Sequence, residues 1–190
     1  MSTSRKKTLP GFTLIEMVIS LGIFSIIAVA VAGTFASGFS TYKETRALSR
    51  NLESAQFAMN TLAKLLRTST VDPGSPSSSN QIIFYDHSSS RCFQYRIWSS
   101  AVGSSVLQAR WFPLTDSSLC RSSTNATFPP TFSQVTSGFV TGGFLITPSM
   151  NPTRAGRVTL SLSVKTNASA VREAHVQTTT SLRDYKEIGF

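Results

Sequence analysis

The chain is 190 residues long, with 18 lysines and arginines against 9 acidic side chains, a formal net charge of +9 and only 14% charged residues. With an N-terminal membrane segment set aside, ~150 residues remain, enough for one domain with its own core, which excludes a multidomain protein. Beyond the N-terminal region the basic residues Arg91, Arg96, Arg110, Arg121, Arg154, Arg157, Lys165, Arg172 and Arg183 are scattered and match no nucleic-acid motif. The surplus charge therefore argues for weak, salt-sensitive DNA binding at most, not for a dedicated nucleic-acid interface.

The first predicted element follows a basic tail of Arg5, Lys6 and Lys7. Gly11-Phe12-Thr13-Leu14-Ile15-Glu16 comes next, and no side chain from Met17 to Tyr42 is charged. Those roughly 26 residues would reach about 39 Å as a helix, more than the ~30 Å of a bilayer core. Cations ahead of the stretch predict a single-pass protein with its N-terminus inside. A carboxylate here costs on the order of 2.5–3.5 kcal/mol at the bilayer centre and less near the interface. Glu16 therefore needs a partner, or must snorkel to the headgroups. Two plainer readings stand beside this one. The segment could be an uncleaved anchor. Ala30-Val31-Ala32 could also be the cut site of an ordinary secretory signal, releasing a soluble protein at Gly33. Against that, the apolar stretch exceeds the ~7–15 residues of such a signal and holds Glu16.

The segment Lys7-Thr8-Leu9-Pro10-Gly11-Phe12-Thr13-Leu14-Ile15-Glu16 resembles the cleavage and methylation site of type IV prepilins and of type II secretion pseudopilins. The resemblance implies cleavage by prepilin peptidase between Gly11 and Phe12, and N-methylation of Phe12. It also implies pairing of Glu16 with the terminal amine of a neighbouring subunit. Physical chemistry agrees, since neither charge is stable alone in hydrocarbon. The implied organisation is a cleaved leader at 1–11, a transmembrane and filament-core helix at 12–42, an amphipathic helix half at 43–72 and an extracytoplasmic β-rich domain at 73–190. The implied partners are other pilins or pseudopilins, prepilin peptidase, the inner-membrane assembly platform and, before assembly, membrane lipid. The implied location is the cytoplasmic membrane, then an extracellular pilus or periplasmic pseudopilus. The apolar helix lacks the proline of many major pilins, which points to a minor subunit. Residues 45–70 and the segment Val176 to Arg183 resemble J-type minor pseudopilins and their pilus counterparts. The tip-most K-type subunit usually lacks the glutamate, so Glu16 implies a place beneath another subunit.

Past the apolar stretch, Leu48, Leu52, Ala55, Met59, Leu62 and Leu66 recur at spacings of three and four. This predicts the amphipathic half of one long helix from Thr13 to Thr70, stopped by Asp72-Pro73-Gly74. Phe57 and Leu65 are expected to widen the stripe. The stripe is read as the face that docks on a sheet, with a coiled coil as the alternative. Gly33 is the weakest helical position of the apolar half.

Ser75 to Ser79 reads as a flexible connector. Strands are predicted at Gln81–Tyr85, Arg91–Ser99, Val106–Phe112, Phe139–Thr147, Arg157–Thr166 and Glu173–Leu182, with Ser117–Ser137 mostly loop. Val158, Leu160, Leu162 and Val164 alternate with Thr159, Ser161 and Ser163, the pattern of a sheet with one wet face. The fold class is α+β, a long N-terminal helix packed on an antiparallel sheet, as in pilins.

Cys92 and Cys120 suffice for one disulfide in an oxidising compartment, tethering a loop to a strand, or they remain two free thiols. His87 and His175 lack ligand-like spacing to each other or to the cysteines, so no metal or other cofactor is expected. Asp72, Asp86, Asp116 and Asp184 read as isolated, and His175 as a packed or surface residue. Asn125 and Asn167 head chance glycosylation triplets. No catalytic triad or nucleophile elbow is present, so the chain is not expected to be an enzyme. The leading expectation is a structural minor pilin or pseudopilin near the filament tip that aids assembly initiation. The alternative is a membrane-anchored display module acting as adhesin or DNA receptor.

Overall fold

The structure, a computed structural model, describes residues 11–71, 77–100, 103–115, 117–121, 128–147 and 156–182. The basic tail, Asp72-Pro73-Gly74, Asp116, Asn125, Arg154, Arg183 and Asp184 lie outside the described residues. The chain divides into two units, Met1–Glu44 and Thr45–Phe190.

One helix, α1 (Leu14–Arg67), contributes to both units. In the first unit it buries nothing. Ile23, Phe24, Ile27 and their apolar neighbours are all exposed, and an 18-residue window reaches a mean hydropathy of 2.5. The hydroxyls of Ser20, Ser25, Thr34 and Ser40 donate to carbonyls of the same helix, Ser20 to that of Glu16 at 2.7 Å and Ser25 to that of Leu21 at 2.8 Å. A helix, which satisfies its backbone polar groups internally, is what a bilayer requires.

In the second unit Ala55, Met59, Leu62 and Leu66 of the stripe are buried, with Ala58 beside them. Leu48 and Leu52 are half-buried, and Leu65 packs against the core as expected. Phe57 does not widen the stripe: it is 73% exposed. The reason is angular, because a residue two positions from both Ala55 and Met59 lies about 200° round the helix from each. Nor does α1 run to Thr70. It ends at Arg67, where the Ser69 hydroxyl donates to the Leu65 carbonyl at 2.6 Å. The β-prone Ser69–Val71 instead forms strand β1.

The remaining elements are β2 (Ser78–Ser79), β3 (Gln81–Asp86), β4 (Arg91–Ser99), β5 (Ser105–Pro113), α2 (Ser117–Arg121), β6 (Ser133–Gln134), β7 (Phe139–Thr147), β8 (Arg157–Lys165) and β9 (Glu173–Ser181). Ser78 and Ser79, predicted as connector, pair with β7, and the predicted loop at Ser117–Ser137 contains α2 and β6. The strands form two antiparallel sheets, ordered β1-β3-β4-β5-β6 and β2-β7-β8-β9. Phe84, Phe93, Tyr95 and Leu107 of the first share one core with Phe144, Leu160 and Leu162 of the second and with Met59, Leu62 and Leu66 of α1. The alternation along β8 is realised, with Val158, Leu160, Leu162 and Val164 buried. Gly142 lies in β7 at φ 143°, where an added Cβ would run into the Ser161 carbonyl. Polar anchors fix the helix half as well. Asn51 Nδ2 donates to the Lys165 carbonyl at 3.1 Å, and Ser54 Oγ accepts from the Ser137 N–H at 3.1 Å.

Candidate functional site

Gly11, Phe12 and Thr13 are non-helical and α1 begins at once after them. Thr13 caps it: its Oγ1 accepts from the Glu16 N–H at 3.4 Å, and its carbonyl accepts from the Met17 N–H at 3.2 Å. Threonine followed three residues later by glutamate is the sequence form of a capping box. Glu16 also sits in the first turn, where the helix dipole favours an anion. Phe12 is 79% exposed, and no described residue forms an ion pair with Glu16. The segment thus offers an accessible Gly11–Phe12 bond, a helix starting directly after it, and one carboxylate on an uncharged apolar rod. Such an arrangement suits peptide-bond cleavage followed by lateral association, and the exposed carboxylate remains open to a cation from another chain.

The second singled-out pair lies in the second unit. Cys92 and Cys120 are joined by a disulfide, both buried, with Cα atoms 5.6 Å apart. The bond ties α2 to β4 and centres a small cluster with Tyr85 and Phe128, onto which Phe112 and Leu114 pack. Phe112 and Phe128 meet edge-on at 4.7 Å, and the Tyr85 hydroxyl donates to the Leu114 carbonyl at 3.0 Å. A loop of this size is stabilised by about 3–4 kcal/mol when closed covalently.

Asp86 is not isolated. It is fully buried at the end of β3 and accepts hydrogen bonds from Thr68 Oγ1 at 2.6 Å, Ser89 Oγ at 2.6 Å and Ser88 N at 3.1 Å. Burial pushes its carboxyl up, but the hydrogen bonds from Ser89, Thr68 and Ser88 outweigh that and hold it below the usual value. The carboxylate clamps the end of α1 to the β3–β4 turn. Ser88 and Ser89 close behind the aspartate could have signalled such a turn, whereas Thr68 could not. His87 lies edge-on to Tyr85 at 4.9 Å, and burial lowers its pKa against the opposing pull of Asp86. His175 is a surface residue, 3.0 Å from Glu173, which also pairs with Lys165 at 3.1 Å. Among the described residues no group of three His, Cys, Asp or Glu side chains could hold a metal ion.

Two of the scattered arginines come together. Arg96 and Arg110 both lie on the Phe132 ring, at 3.6 Å and 4.2 Å from its centroid. Their side chains converge because cross-strand register, invisible in the sequence, sets them on one face of the first sheet. Burial lowers the pKa of each, and the charge of Arg96 adds to the effect on Arg110.

Comparison with known proteins finds one match. The family model described as the prokaryotic N-terminal methylation motif fits residues 10–32. No curated protein and no solved structure matches the chain.

Proposed function

We propose, from the premise that this chain is a member of the type IV prepilin and pseudopilin family by its N-terminal methylation motif, a minor filament subunit placed near the tip that helps begin assembly. The motif supports a membrane-anchored structural subunit rather than an enzyme, processed by prepilin peptidase and assembled with other pilins. In our reading the leader at 1–11 is cut between Gly11 and Phe12, and the new amine of Phe12 is methylated. The apolar half of α1 then crosses the membrane once, N-terminus inside, until it is drawn into a helical bundle by the assembly platform. The second unit faces outward, in a pilus or a periplasmic pseudopilus.

Glu16 gives the insertion its register. A subunit displaced along the bundle axis brings one terminal amine against the carboxylate of another chain, and each charge relieves the desolvation of the other. The likeness of residues 45–70 to J-type subunits, together with the retained Glu16, supports a position just beneath a capping subunit. The single observation that carries the reading is the methylation motif at 10–32 leading into a helix whose apolar half exposes every large side chain.

Mass analysis of the mature N-terminus tests the processing. A chain beginning at methylated Phe12 is expected; an intact Met1, or a start at Gly33, refutes the proposal. Glu16→Ala tests the assembly step. The variant should be processed and remain in the membrane yet be missing from sheared filaments, and unimpaired incorporation would exclude a pairing role.

A further inference from the structure

The outer face of the first sheet carries one continuous row of planar polar side chains. Gln81 of β3 pairs with Arg96 of β4, Arg96 with Gln108 of β5, and Gln108 with Gln134 of β6. Alternation puts all four opposite Phe93, Tyr95 and Ile97, which enter the core. Strands stand about 4.8 Å apart, so the row spans roughly 14 Å.

Arg96 is held at both ends. Its Nε donates to Gln108 Oε1 at 3.0 Å, and its guanidinium lies 3.6 Å from the Phe132 centroid. Gln81 is fixed in turn, its Oε1 accepting from Gln94 Nε2 at 3.2 Å, while Gln94 Oε1 accepts from buried Arg110 at 2.7 Å. These bonds leave open the terminal nitrogens of Arg96 and the amide nitrogens of Gln81 and Gln108. The ion pairs among the described residues all involve Glu173 on the other sheet, so no carboxylate there neutralises Arg96. Trp98 stands on the same outward side two residues along β4, about 6.6 Å away, and is 39% exposed.

The geometry points to a binding site for an acidic saccharide, with Arg96 taking the sugar carboxylate, the glutamine amides taking ring hydroxyls and Trp98 offering a surface for the apolar face of a ring. Charge complementarity selects the occupant. A nucleic-acid strand needs a track of cations along its phosphates and several stacking aromatics. Here one half-buried guanidinium and one exposed aromatic ring flank amides that both donate and accept, which is the chemistry of hydroxyls around a single carboxylate.

The test uses the full chain in neutral detergent, titrated with oligogalacturonate, a neutral maltooligosaccharide of equal length and oligothymidylate. Saturable binding of oligogalacturonate is expected, with little binding of the neutral sugar. Loss of the charge-assisted hydrogen bonds in Arg96→Gln should weaken it about tenfold or more. Arg157→Gln, the same charge change on the other sheet, should leave it intact. Trp98→Ala tests the ring surface without touching the core, and keeps the site testable if Arg96→Gln does not fold. The proposal is overturned if oligogalacturonate fails to bind, if Arg96→Gln binds as well as wild type while retaining its melting temperature, if Trp98→Ala leaves affinity unchanged, if Arg157→Gln causes an equal loss, or if oligothymidylate binds more tightly.

Discussion

Asp86 shows how one residue can join two elements. Its carboxylate accepts from Thr68, just past the end of α1, and from the β3–β4 turn together. Folding lowers its pKa, so the native state holds that proton less tightly than the unfolded chain. Its contribution is complete above the ordinary value of 3.8 and drains away as pH falls through the lower folded value. Asp86→Asn should therefore cost about 1–3 kcal/mol at neutral pH, and the gap to wild type should narrow in acid. Thermal unfolding of the two proteins from pH 7 to pH 3 measures this, and a gap independent of pH would rule out the carboxylate as the cause. Glu16 is the opposite case. No described residue forms an ion pair with it, and the pairing proposed for it belongs to an assembled state.

At the scale of elements, α1 is one helix under two rules. Up to Tyr42 its large apolar residues lie all round the helix and are exposed; beyond Thr45 they concentrate in one stripe that is buried from Ala55 on, with Phe57 outside it. Leu62, 1% exposed, lies in the core that α1 shares with residues of both sheets. Leu62→Ala should lose about 2–5 kcal/mol, the cost of an unfilled cavity in a fully buried core. Phe57→Ser on the exposed side should change stability by no more than about 0.5 kcal/mol. Denaturant unfolding of both variants checks the pair, and a large loss at Phe57 would contradict the observed burial. The stripe was legible from spacing alone, because burial on a helix follows its 3.6-residue period. The exposure of Phe57 was legible in the same period, which places it nearly opposite the stripe.

For the whole molecule, the core and the disulfide lie within Thr45–Phe190, while the described residues of Met1–Glu44 bury no side chain. A fragment beginning at Thr45 should stay soluble without detergent and unfold cooperatively at the melting temperature of the full chain in detergent. Calorimetry of the two decides it, and a fragment that aggregates or melts far lower would show that the apolar half supports the fold. By itself the sequence determined the long helix, its apolar half, the place of Glu16 and six of the strands, because each is written in local period, charge or residue type. The methylation motif was legible for the same reason, as a short contiguous signal. Tertiary structure alone decided that the strands divide between two sheets, that Ser69–Val71 leaves the helix to pair with β3, and that Asp86 meets Thr68. It also decided that Arg96, Gln81, Gln108 and Gln134 form one row. These depend on cross-strand register and long-range pairing, which bring together residues that no local pattern connects.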